Sequence, residues 1–436
     1  MHNLSKLIYD DMKPAFGVTE PGAIAFAVAT ARNHTDGQVK AVKVALNSGM
    51  YKNAFTCGIP NSSRFGNLYA AALGAVAARA DLGLESLTYI TPEDDDAAAA
   101  MVDSGIVDVW MDHISSDITI DATVETEADS CTVSIRGSHT NIVSITKNNE
   151  QVFAKEESAC TLSDASNSGV SEAMEQNVPY IHKVSLKEII DYVNSVPADE
   201  ISFISDAFEM NLALLDEGLS SDRAVIAHQF FELNNNTRIS DNPLSTAQLL
   251  CNGAIEARVL GLSRPAMSIT GSGAHGIIAT MPLYAYFHSA MNEDTDEKLL
   301  RATALSYLIC MYIKEYSGKL SAFCGCGIAA GTGMACGLTL LMGGGYDEIS
   351  QTILNMSAGI TGMICDGGNH GCAMKGIVAT DAAFRAAELA MKKVGIPGIH
   401  GINGLTAEDT MRNMGLIASP GMVQTEGVIV DIMSSK

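Results

Sequence analysis

The chain has 436 residues, and 47% of them are hydrophobic against 18% charged. That balance excludes a disordered chain, and the length makes two domains around two cores the first expectation. A net charge of -23 repels phosphate backbones and argues against a nucleic-acid partner; its plain role is solubility.

No basic region followed by an apolar run and a small-residue cleavage site opens the chain, so a cytoplasmic protein with reduced thiols is expected. The sequence Gly17-Val-Thr-Glu-Pro21 precedes the apolar run 23–31. Proline suits the first helical position, which makes Glu20 the expected N-cap of a helix over 22–32. The N–H groups of such a helix start favour an anion, although taken alone the pattern is read first as a simple helix start.

Between 42 and about 151 the pattern is mixed. Ile118, Ile120, Ala122 and Val124 alternate with polar residues, as do Val133 and Ile135, and these read as half-buried strands. Lys52-Asn53 and Cys57-Gly-Ile-Pro60 are placed on and after a strand. Helices are predicted over 67–79 and 94–104. Ser138-His139-Thr140-Asn141 reads as a polar turn between strands, where a histidine is commonly just solvated.

The polar stretch 156–179 reads as a loop or linker. Beyond it the pattern turns helical. Ser185 and Glu188 have capping-box spacing, and further helices are predicted over 198–217, 243–262, 276–292, 296–316, 327–342, 346–362, 374–393 and 406–413. The fold class is α+β: an N-terminal mixed α/β domain over 1–180, then an all-helical domain over 181–436. The uncharged stretch 320–346 is long enough to span a membrane. It holds eight glycines and three cysteines, however, and a buried helix fits it better.

Thr270-Gly-Ser-Gly-Ala-His-Gly276 precedes another apolar helix. Glycines let successive N–H groups form an anion-binding nest, and His275 can act as acid or base; a plain glycine-rich turn is the competing reading. Five of the ten cysteines (Cys57, Cys131, Cys160, Cys251 and Cys310) are scattered, whereas Cys324, Cys326, Cys336, Cys365 and Cys372 cluster. Cys324 and Cys365 are 41 residues apart, which allows one helical hairpin to bring their loops together. Thiolates suit iron–sulfur clusters, and the C-x-C and C-x6-C spacings suit zinc less well. Buried cysteines in a small-residue bundle remain the alternative.

Taken together, GVTEPGAIAFA, KNAFTCGIP, GSGAHGI, SAFCGCGIAAGTG and GMICDGGNHGCAMK resemble the successive motifs of L-cysteine desulfidases across nearly the whole chain. The C-terminal half also resembles the alpha chain of iron–sulfur L-serine dehydratases. The resemblance implies an α,β-eliminating lyase of a small amino acid, acting as a homodimer. It implies a [4Fe-4S] cluster with one open iron, held by Cys324, Cys365 and Cys372 near the start of the 22–32 helix. Cys326 is the rival for the first ligand; family spacing favours Cys324, with Cys326 packed into the bundle. Thr19, Glu20, Lys52, Asn53, Ser272 and Gly273 would bind substrate. Where that family carries a cysteine that acts as the presumed base, this chain has Val18. His275, His139 and Cys57 are the remaining candidates. A non-catalytic paralogue that binds an amino acid or a cluster is the other reading.

Overall fold

The structure is a computed structural model that describes residues 1–155, 178–290, 295–318 and 320–436. The stretch 156–179, read as a loop, lies outside these residues apart from Val178 and Pro179, and so does Cys160.

Alternation builds the sheet. In β4 (Thr119–Thr126), Ile120, Ala122 and Val124 are fully buried, and in β5 (Ser130–Arg136) so are Cys131, Val133 and Ile135. With β2 (Val39–Asn47), β3 (Val107–His113), β6 (Ile142–Lys147) and β7 (Glu150–Ala154) they form a six-stranded sheet in the order β3-β2-β4-β5-β6-β7. Only β2 and β3 run parallel; the other pairs are antiparallel. The apolar face packs on the helices Thr19–Arg32 and Asn67–Val76. The other face is polar: Thr123 and Thr132 share a hydrogen bond of 2.8 Å, and Arg136 holds Asp121 through both carboxylate oxygens.

The C-terminal part is a helical assembly centred on Pro243–Val259, Gly273–Ala290, Asp296–Ser317, Gly331–Leu341 and Gly371–Met391. The expected α+β class is therefore what the chain adopts. The capping box forms: Ser185 Oγ accepts from the Glu188 N–H, and Glu188 accepts from the Ser185 N–H. The stretch 320–346 folds into a buried π-turn and an 11-residue helix. Among the described residues no helix is long and apolar enough to cross a membrane. The first residues join the helical part, because β1 (Lys13–Phe16) pairs with β8 (Pro265–Ser268) and the helix Asn3–Asp11 packs on Asp296–Ser317.

Two local expectations are corrected. Glu20 is not the N-cap: the helix begins at Thr19 with Val18 as cap, and Pro21 sits in the first turn, where its missing N–H has no intrahelical acceptor to lose. Lys52 and Asn53 lie on the helix Ser48–Ala54 rather than on a strand. The Asn47 side chain closes β2 by donating to Ser115 O and accepting from the Thr119 N–H. The sequence also missed the helix Val225–Leu233. Its first N–H groups are capped by Glu256, a carboxylate from another helix, so no local cap signal exists to read.

The C-terminal helix Val423–Ser434 docks through a buried ion pair. Lys52 Nζ lies 2.7 Å from Glu426 and also donates to Ser321 O at 2.9 Å. Glu426→Ala leaves a buried ammonium uncompensated and is expected to cost about 3–5 kcal/mol in urea unfolding. The double variant Lys52→Met/Glu426→Leu is expected to recover most of that loss. A double variant as unstable as the single one would mean that shape, not charge, holds the helix.

Candidate functional site

A cavity of about 500 Å³ opens where the two halves meet. Its wall takes Val18, Thr19 and Glu20 from one helix start and Thr270, Gly271, Ser272, Ala274 and His275 from another. His139 comes from the turn after β5, and Cys326, Cys365 and Cys372 come from the cysteine loops. Segments far apart in sequence thus converge, and backbone pairing is what joins the cysteine loops. Phe323 and Ile364 form an antiparallel bridge; the Cys324 N–H donates to Met363 O, and the Cys365 N–H donates to Ala322 O. The loop 365–372 then docks on the sheet half, with the Gly368 N–H donating to Asn53 O at 3.2 Å. Gly368 must lack a side chain, since a Cβ there would lie 2.9 Å from both methyls of Val18.

The thiols form one electrostatic neighbourhood. Cys372 feels the charges of Cys365 and Cys324, Cys365 feels that of Cys324, and Cys326 contacts Cys324. The structure turns Cys326 toward the cavity wall, whereas Cys324 is almost completely buried beneath it. The sulfur of Cys324 accepts from the Gly327 N–H, and that of Cys365 accepts from Gly367. Burial pushes the Cys372 thiol up to about 11 and raises Cys365; the Cys326 contact and then burial raise Cys324. Buried thiols of this kind stay protonated unless a metal displaces the proton. Cations surround them. Lys52 and Lys375 act on Cys365, Lys375 acts on Cys372, and buried Lys314 feels all of Cys310, Cys326, Cys365 and Cys324. Lys375 is ion-paired with Asp366. Among the described residues no three His, Cys, Asp or Glu side chains converge on a single metal ion. A cubane cluster spreads its ligands over separate corners, and this thiol set with backbone N–H donors and nearby cations has that character.

His275 is buried, and its orientation is fixed by a strained neighbour. Thr270, a β-branched residue, has φ +51°, and its N–H donates to Asp11 at 2.5 Å. Its hydroxyl donates to Ile269 O and meets His275 Nδ1 at 2.5 Å. A hydroxyl has one proton to give, so Nδ1 carries the imidazole proton and Nε2 keeps a lone pair. That nitrogen faces Gly325, where a Cβ would come within 2.7 Å of it. Burial, then the charges of Lys314 and Arg258, push His275 down to about 3.

Glu20 is buried and accepts from Asn53 Nδ2 at 2.8 Å; His139 Nε2 stands 3.9 Å away, too far for a hydrogen bond. Burial opposes its ionisation, but the His139 and Asn53 contacts outweigh it and hold the carboxyl below the ordinary range. Thr19, Ser272, Asn53 and Ala274 line the wall, and Gly273 opens the helix Gly273–Ala290 beside them. Lys52 and Cys57 are not in the wall. Lys52 is engaged with Glu426, and the Cys57 thiol is fully buried against Ala54 O.

The serine dehydratase alpha chain family model matches residues 81–431. The chain belongs to that family. It is also similar to UPF0597 proteins along its whole length. One from Clostridium botulinum (strain Langeland) is 40% identical over 427 residues, covering 98% of this chain and 97% of the relative. One from Caldanaerobacter subterraneus is 36% identical over 433 residues (99% and 98%), and one from Clostridioides difficile is 31% identical over 430 residues (98% of each).

Asp11, Arg258 and Lys314 belong to this family member's site but carried no sequence signal. Each sits in an ordinary helix and reaches the cavity only through packing. Thr270 and Lys375 lay inside motifs already singled out, without a role.

Because His275 stays neutral in the folded chain, its effect on stability has a definite sign. Below the ordinary histidine pKa of about 6.5 the unfolded chain binds a proton that the folded chain refuses, so stability falls as pH drops from there toward 3. The limiting slope is about 1.4 kcal/mol per pH unit. In iron-free protein, His275→Gln is expected to flatten the dependence between pH 6.5 and 5. Equal slopes in both proteins would mean that the folded state accepts the proton.

Proposed function

We propose that this protein catalyses α,β-elimination from a small amino acid, with a [4Fe-4S] cluster held by Cys324, Cys365 and Cys372. L-cysteine would give pyruvate, ammonia and sulfide; L-serine would give pyruvate and ammonia. One observation carries the reading: the thiols of Cys365 and Cys372 line one cavity, Cys324 lies within their electrostatic reach, and the same wall holds the unprotonated Nε2 of His275. A bound cluster with an iron free of protein ligands supplies a Lewis acid for the leaving hydroxyl or thiolate.

The chain's own residues account for the remaining steps. The N-terminus of Thr19–Arg32 has no side-chain cap, so the Thr19 N–H and the N–H groups at the start of Gly273–Ala290, beside Ser272, are open to a carboxylate. His275 Nε2 takes the α-proton, and the electron pair of that C–H bond becomes the Cα–Cβ double bond as the β-substituent leaves. The enamine tautomerises to an imine, and water releases ammonia and pyruvate. Neutral His275 has the lone pair this step needs at neutral pH, while His139 pairs with Glu20 and buried Cys57 lacks access.

Val18 supports a second reading, a paralogue that binds without turnover. Its methyls occupy the wall against Gly368, where the resembled enzymes carry a thiol. Anaerobic reconstitution with iron and sulfide assay, followed by pyruvate release from L-cysteine and L-serine, separates the two. Cys324→Ala, Cys365→Ser and Cys372→Ser are expected to lose bound iron, and Cys326→Ala to keep it. Iron lost only from Cys326→Ala among the first pair would move that ligand by two residues. His275→Asn is expected to keep its iron and lose about 10²-fold or more in kcat. Iron retention without pyruvate, cured by Val18→Cys, would establish the second reading.

A further inference from the structure

We infer that Arg258 anchors the substrate α-carboxylate and, with Glu20 as the partner of the α-ammonium, restricts the cavity to zwitterionic amino acids. The inference rests on the elimination reading for its substrate class, but its evidence is separate.

Arg258, on Pro243–Val259, is only 5% exposed and lines the cavity. Its Nε has no hydrogen-bond partner, and among the described residues no carboxylate pairs with it. A buried guanidinium left in this state is costly, and arginines held inside proteins are ordinarily matched by a planar anion. Its surroundings favour the same guest. Gly273, whose Cβ would lie 2.8 Å from Arg258 Nε, lets the side chain lie directly against a helix start. The second helix start, at Thr19, opens on the same cavity. The helix start beside Gly273, the Thr19 N–H and a forked donor therefore serve one anion. Glu20 supplies the opposite sign. It is held ionised by its His139 and Asn53 contacts against the cost of burial, and it lines the same cavity as Arg258. A carboxylate at Arg258 and an ammonium at Glu20 are the two ends of an amino acid.

The test compares wild type with Arg258→Lys, Arg258→Met and Glu20→Gln. Reconstituted Arg258→Met is expected to keep its iron and sulfide, to raise KM for L-cysteine or L-serine about 10²-fold, and to change kcat less. Arg258→Lys should recover part of the loss. Discrimination against L-cysteine methyl ester should collapse in Arg258→Met. Independently of turnover, calorimetry on iron-free protein is expected to show L-alanine binding that either substitution weakens, and propionate binding that only the Arg258 changes weaken. Unchanged KM and unchanged L-alanine binding in a folded Arg258→Met protein would overturn the anchor. If wild type turns over no amino acid yet binds propionate through Arg258, the anchor stands and the elimination reading falls. No Arg258-dependent binding of either ligand overturns the anchor outright.

Discussion

The site depends on a short backbone pairing, residues 322–324 against 363–365. Two hydrogen bonds across one bridge are modest in energy. They nonetheless set where Cys324 and Cys365 stand, and they fix the exit of the loop that presents Cys372. That loop must also lie flat on the sheet half of the molecule, which it does by donating from Gly368 to Asn53. The cysteine end of the cavity is thus built by one seam within the helical half and a second that joins it to the sheet half.

Electrostatics inside the cavity run against those of the surface. The chain carries 50 acidic and 27 basic residues, but Lys314, Arg258 and Lys375 gather at or beside the cavity, and Lys52 lies behind the cysteine loop. Buried cations lower the cost of thiolate charge, keep a nearby imidazole neutral and favour anionic guests, all through the same low-dielectric coupling. His275 shows the consequence: its proton is kept on Nδ1 by hydrogen bonding, and a second proton is kept off by burial and by the charges around it.

Strain is placed where orientation matters. Thr270 adopts a conformation that β-branched residues avoid, and Asp11, at the end of the helix Asn3–Asp11, helps hold it there. The first helix of the chain therefore contributes to the geometry of the cavity although it lies outside the motif segments. The pairing of β1 with β8 keeps it in register with the residues just before Thr270.

Much was readable from local pattern. Alternation at Ile120, Ala122 and Val124 gives strands of period 2, apolar helices follow their glycine-rich starts, and the clustered cysteines stand out against scattered ones. The resemblance of five motifs then marked Cys324, Cys365, Cys372 and His275 as site candidates. Local pattern misplaced Glu20 as a cap and Lys52 on a strand, because the Asn47 contacts that end β2 and the start of the helix at Thr19 are set by neighbours distant in sequence. Arg258 was invisible for the same reason: an arginine on a helix is normally solvated, and only the packing of Pro243–Val259 inside the helical assembly, Gly273–Ala290 included, buries this one beside the cavity without a partner for its Nε. The sequence by itself determined which residue types and turns were available. Tertiary structure alone decided which charges lost their water and which faced one another, because burial and pairing are properties of packing rather than of chain order.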